Sequence, residues 1–128
     1  MTNMVFHAHS GVRYLVLLVG IVALVAFLYG QITRKPVGPG KGIMAAFVGV
    51  LDLQLLLGLV LVFLMPFYGA LIGHLVLMIA AVAVAHASAS IARNRPDATS
   101  ANSIRLIGVV VTLVLIVGGI MSIGRSIF

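Results

Sequence analysis

The sequence predicts an all-α membrane protein: four transmembrane helices folded as two antiparallel hairpins, both termini on the periplasmic side. Three observations lead there. Hydrophobic residues make up 62% of the 128 residues and charged residues only 8%, where a soluble domain carries roughly a quarter charged residues. The apolar residues gather into four stretches, Phe6–Gly30, Gly42–Met65, Gly69–Ala92 and Ser103–Gly124. Nearly all the basic residues sit in two of the three connections between them.

Each stretch is long enough to cross about 30 Å of hydrocarbon at about 1.5 Å per residue. None alternates polar and apolar residues as a barrel strand must. In lipid a spanning backbone has to satisfy its own hydrogen bonds, so each stretch is expected to be a helix. The first connection, Thr33–Gly42, reads TRKPVGPGKG, and its prolines, glycines and charges stop a helix. Met65–Pro66 ends the second helix and leaves a short return, so helices 2 and 3 are expected to be neighbours. Asn94–Asn102 is a polar connection turning at Pro96–Asp97, with Asn102 or Ser103 expected to cap helix 4. Helix 3 ends AAVAVAHASAS. Its small residues Ala81, Ala85 and Ala89 recur every four positions and Ala83 and Ala87 follow on another face, so helix 3 is expected to be the most buried. Gly118–Gly119 could give helix 4 a similar contact.

Charge gives the orientation. Arg34, Lys35 and Lys41 lie in or beside the first connection, Arg93, Arg95 and Arg105 in or beside the third, and only Arg13 and Arg125 toward the other side. The positive-inside rule then places the two basic connections in the cytoplasm of a bacterial inner membrane. The net charge of +6 is mostly this topology signal. Nucleic acid is not an expected partner, because the charges are split between two short turns. The partners expected are the lipid bilayer and other membrane subunits. The first helix lacks a basic lead-in and a small-residue cleavage site, so it is expected to be retained. The chain has no cysteine, which excludes disulfides, thiolate metal sites and lipidated cysteines.

Few residues could do chemistry. Asp52 and Asp97 are the only acids, and Asp97 falls in a solvated turn. Asp52 lies well inside helix 2, where an ionisable group needs a partner. His86 sits at a similar depth on helix 3. The pair reads either as a buried hydrogen bond that fixes the register of the two helices or as a proton-bearing pair. Gln54 is rotated away from Asp52 toward another helix. Near the other side, His7 and His9 open helix 1 and His74 lies about five residues into helix 3. His9 and His74 could share a level, and two imidazoles facing each other across a bundle are what a six-coordinate haem iron requires. Arg13, one turn from His9 on the same face, could pair with a propionate or snorkel to a headgroup. The plainer reading puts His7 and His9 at the water interface and bonds His74 to a neighbouring helix. Tyr14, Phe67 and Tyr68 read as an aromatic belt. His74 and His86 are about 120° apart around their helix and do not present one face to one metal.

The string HAHSGVRYLVLL at His7–Leu18, continued by LDLQLLLGLVLVF at Leu51–Phe63 and GHLVLMIAAVAVAH at Gly73–His86, resembles a family of small bacterial four-helix membrane proteins labelled cytochrome-b-like. The resemblance covers most of the chain and matches family histidine positions at His9 and His74. It departs at Asp52, which stands where the family pattern has a histidine.

The function expected first is that of a non-catalytic accessory or structural subunit of a larger energy-transducing complex, photosynthetic or respiratory, in which a histidine such as His74 could serve a pigment. The alternative is a b-type haem electron carrier with His9 and His74 as axial ligands and Arg13 beside them. A proton-coupled transporter using Asp52 and His86 ranks last, since too few polar groups line a path.

Overall fold

The computed structural model describes residues 2–35, 38–64 and 69–122. It is all-helical among these residues: α1 (Thr2–Thr33), α2 (Gly40–Leu64), α3 (Ala70–Arg93) and α4 (Ala98–Ser122). Each of the four contains a stretch long and apolar enough to cross a membrane. Pro66, Phe67 and Tyr68, Arg125, and the end of the expected fourth stretch lie outside the described residues.

Two ends differ from the sequence reading for physical reasons. α1 starts at Thr2 rather than Phe6 and runs to Thr33, since no proline or glycine interrupts Thr2–Phe6. Arg34 then takes a left-handed backbone with φ of 56°, which turns the chain out of the helix. α4 begins at Ala98, not Ser103. Its cap is Asp97, whose carboxylate accepts the backbone N–H groups of Thr99 at 3.3 Å and Ser100 at 3.1 Å. The expected caps Asn102 and Ser103 are instead inside the helix. Hydropathy misplaces this end because the first turn of α4, ATSAN, is polar while still helical.

Asn102 is buried and donates through Nδ2 to the Phe27 carbonyl of α1 at 3.0 Å. It fits because Gly30 has no side chain: a Cβ there would lie 3.0 Å from Asn102 Oδ1. Ser103 Oγ donates to Gln31 Oε1 at 2.7 Å one turn outward. Arg105, expected just inside the fourth helix, lies in α4 and is buried beside Gly40, where a Cβ would stand 3.2 Å from its guanidinium.

The core is built from Leu17, Ala23 and Phe27 of α1, Met44, Phe47 and Leu51 of α2, Ala81, Ala85 and Ala89 of α3, and Val109, Ile116 and Ile120 of α4. α3 packs most extensively on α4 and α1 on α2, while the α2–α3 seam is thinner. The Ala81, Ala85 and Ala89 stripe is buried as expected, whereas Ala83 and Ala87 are exposed. The most buried helix is α4, not α3: 39% of its most apolar window is buried against 28% for α3. α4 touches both α3 and α1, and its glycines carry the closest approach. A Cβ on Gly108 would collide with Ser88 Oγ and Cβ, and one on Gly119 with Met78 Cε. Gly118 is looser, with Leu77 Cδ1 at 3.9 Å from the same position. The outer faces carry large apolar side chains such as Leu18, Val25, Leu56, Val76 and Val114, which hydrocarbon solvates at no cost.

Replacing Gly108 with alanine should push α3 and α4 apart at Ser88, at a cost of about 1–3 kcal/mol. Thermal unfolding of the detergent-solubilised protein, followed by helical circular dichroism, should show a lowered midpoint for G108A and a smaller change for Gly118→Ala.

Candidate functional site

Two cavities bring polar side chains of different helices together. The first is a cavity of about 160 Å³ among all four helices. α1 contributes His9, Ser10 and Arg13, α2 contributes Gln54, and α3 contributes His74. The remaining lining is apolar, with Val16, Leu51 and Ala81 buried at its inner end.

His74 is held from α4. Its Nδ1 lies 2.9 Å from the Gly119 carbonyl oxygen, and a carbonyl can only accept, so Nδ1 carries the proton. In the tautomer with its proton on Nδ1, the Nε2 lone pair faces away from this bond. The same carbonyl accepts Ser122 Oγ at 2.7 Å. Gly119 also lets Met78 of α3 pack close, since a Cβ there would collide with Met78 Cε.

His9 is positioned by α2. Gln54 Nε2 donates to the His9 backbone carbonyl at 2.8 Å. One turn along α2, Gly58 faces the His9 ring, where a Cβ would stand 3.2 Å from Cε1. Gln54 and Gly58 are four residues apart and share a helix face. That spacing is the signal by which Gly58 could have been found, and the sequence reading passed over it. Gln54 Oε1 is buried without a hydrogen-bond partner, so the cavity wall offers an unanswered acceptor.

Arg13 is half-buried at this cavity. Its guanidinium donates to Tyr14 Oη at 3.0 Å and lies 4.8 Å from the Tyr14 ring centroid, while its Nε is buried without a partner. No carboxylate pairs with it among the described residues. His7 is exposed and packs edge-on against Phe6, with ring centroids 6.0 Å apart. It takes no part in the cavity lining.

The second cavity brings Asp52 of α2 and His86 of α3 together. His86 Nε2 lies 2.8 Å from Asp52 Oδ1 and 3.0 Å from Oδ2. The expected pairing is thus present as a contact, but not as a buried one: the side chains are 47% and 53% exposed for Asp52 and His86. The reason is the small residues around it. Ala45, Gly49 and Ala89 line a groove beside the pair, and no neighbouring atom lies within 4 Å of where a Gly49 Cβ would be. His74 and His86 open onto separate cavities. No group of three or more potential metal-binding His, Asp or Glu residues occurs among the described residues.

The first cavity gathers two histidines, an arginine and an amide around one apolar space. The second presents a carboxylate–imidazole pair at the bundle surface. The chain matches no protein-family model, no curated protein and no solved structure.

Proposed function

We propose that the chain is a multi-pass protein of the bacterial inner membrane that holds a ring-shaped redox cofactor, of b-type haem character, between His9 of α1 and His74 of α3. The observation that carries this reading is the Gly119 carbonyl 2.9 Å from His74 Nδ1. The carbonyl engages the His74 Nδ1–H, which leaves Nε2 as the coordinating nitrogen in a cavity shared with His9. Metal-bound histidines are oriented in this way by a backbone acceptor on the second nitrogen.

The donor set fits such a group. His9 and His74 would hold it through their imidazoles, and Arg13 would supply a cation for a carboxylate substituent. Gly58 provides the clearance beside the His9 ring. The volume of about 160 Å³ is close to the roughly 150 Å³ that admits one benzene ring in a helical core, so a macrocycle needs α2 and α3 to part. That seam is thinner than the α3–α4 and α1–α2 contacts. A bound haem would supply one-electron chemistry. The chain's own residues would orient its ligands and exclude water. The resemblance to cytochrome-b-like proteins points the same way, apart from Asp52.

The protein purified from its native membrane should show a reduced-minus-oxidised band of b-haem type. His9→Ala and His74→Ala should each abolish it, and Gly58→Leu, which crowds His9, should lower cofactor content while helicity is kept. His86→Ala should leave the band in place. A preparation without the band, or a band that survives His74→Ala, overturns the reading.

A second reading places the chain as a non-catalytic accessory subunit of a photosynthetic or respiratory complex, with the cavity serving a pigment or cofactor of that complex. The connection between α3 and α4 is only residues 94–97, which favours a protein whose working surfaces are its helix faces. Gentle solubilisation and cross-linking should then recover a larger complex, and migration as an isolated chain would refute it.

The arrangement proposed with both readings is two antiparallel hairpins, termini periplasmic and basic connections cytoplasmic. It is supported by the proximity of His9 to Gly58 and of Phe27 to Gly40 and by the distribution of Arg and Lys. Cysteines at Lys35 and Asn94 should be shielded from an impermeant maleimide in intact spheroplasts, and one at Met4 should be labelled. Labelling of Lys35 and Asn94 from opposite sides overturns it.

A further inference from the structure

The groove between α2 and α3 has a chemistry of its own, separate from the histidine cavity. Its volume is about 320 Å³. One end carries Lys41 and Arg93, the other the Asp52–His86 pair, and the wall between is made of Met44, Ala45, Val48, Gly49 and Ala89. Arg93 lies about 10 Å along α3 from His86, and Lys41 about 16 Å along α2 from Asp52. The groove therefore starts at a cationic end and continues along about half the thickness of the hydrocarbon core.

Neither cation is neutralised by the described chain. Its only ion pair is Asp52–His86, and Asp97 is spent on the α4 cap. Arg93 and Arg105 lie near enough for their charges to repel. Lys41 and Arg93 together form an exposed cationic end to the groove, which attracts an anion. The trough beneath them is narrow, apolar and open, since a Gly49 Cβ would meet nothing within 4 Å. One hydrocarbon chain fits such a surface. A second copy of this protein would bring the same cations against these, in a molecule of net charge +6, and is disfavoured by repulsion.

We propose that this groove is a binding site for one anionic phospholipid, its phosphate held by Lys41 and Arg93 and one acyl chain lying over Ala45 and Gly49 toward Asp52–His86. Basic pockets between transmembrane helices recognise anionic headgroups in this manner. The lipid also covers the exposed side of the Asp52–His86 pair. The inference does not depend on any cofactor in the histidine cavity.

Native mass spectrometry of the full chain in detergent tests it, with phosphatidylglycerol, phosphatidylcholine and inorganic phosphate as probes. One phosphatidylglycerol should be retained per chain, well above phosphatidylcholine. The double variant Lys41→Gln/Arg93→Gln should lower retention by about tenfold or more. Gly49→Leu, which fills the trough without changing charge, should lower it as well. Arg34→Gln/Lys35→Gln removes equal charge outside the groove and should leave retention unchanged. Equal retention of the two lipids by the unmodified protein overturns the proposal, and that comparison needs no variant. Equal losses in the two double variants would mean diffuse charge attraction, and displacement of the lipid by inorganic phosphate would mean a free-anion site. Either result overturns it too.

Discussion

Hydrocarbon offers no hydrogen bonds, so a polar side chain within an apolar helix must find its partner in protein, on its own helix as Ser88 does or on a neighbouring one. Here every seam of the bundle carries at least one contact that reaches a neighbouring helix. Gln54 joins α2 to α1 through the His9 carbonyl. Asp52 joins α2 to α3 through His86. His74 joins α3 to α4 through the Gly119 carbonyl, and Asn102 joins α4 to α1 through the Phe27 carbonyl. The four contacts close a ring around the molecule. Apolar packing alone would leave the helices free to slide or rotate, because lipid tails solvate leucine as well as another helix does. The polar contacts fix which residue stands opposite which.

Three of these four bonds end on a backbone carbonyl, and one of those carbonyls is reached because a glycine stands nearby in the partner helix: Gly30 admits Asn102. Gly58 plays a related part by giving the His9 ring room. Small residues thus do more than let helices approach. They decide where a polar group can enter the neighbouring helix, and so where the histidine cavity forms. The α2–α3 seam lacks such tight interlocking. It holds the Asp52–His86 pair at its surface, and small residues there leave a groove instead of a contact.

The two cavities differ in what they can recognise. The histidine cavity is lined by groups that suit a flat, coordinating or hydrogen-bonding ligand, with one cation at its edge. The α2–α3 groove has cations at one end and a carboxylate–imidazole pair at the other, and suits an amphiphile. A proton path needs polar groups in succession. The nearest polar group to Asp52 on its own helix, Gln54, is committed to α1, which argues against the transporter considered from the sequence.

Much of this was legible in the residues themselves. Four apolar runs and their basic connections determined the number of spanning helices, because length and hydropathy alone decide whether a segment can cross lipid. The depths of Asp52 and His86, counted along their helices, were enough to pair them. The four-residue alanine period identified one packing face of α3. What the sequence could not decide was anything set by helix rotation or by a missing side chain. It placed Asn102 at a cap because asparagine favours that position, yet Asp97 takes the cap and Gly30 draws Asn102 into the interior. It expected a buried Asp52–His86 pair and the deepest burial for α3, whereas tertiary packing exposed the pair and buried α4 between two neighbours. Hydropathy reports how a segment partitions between water and lipid; only the packed bundle fixes which of its faces meets protein and which meets lipid.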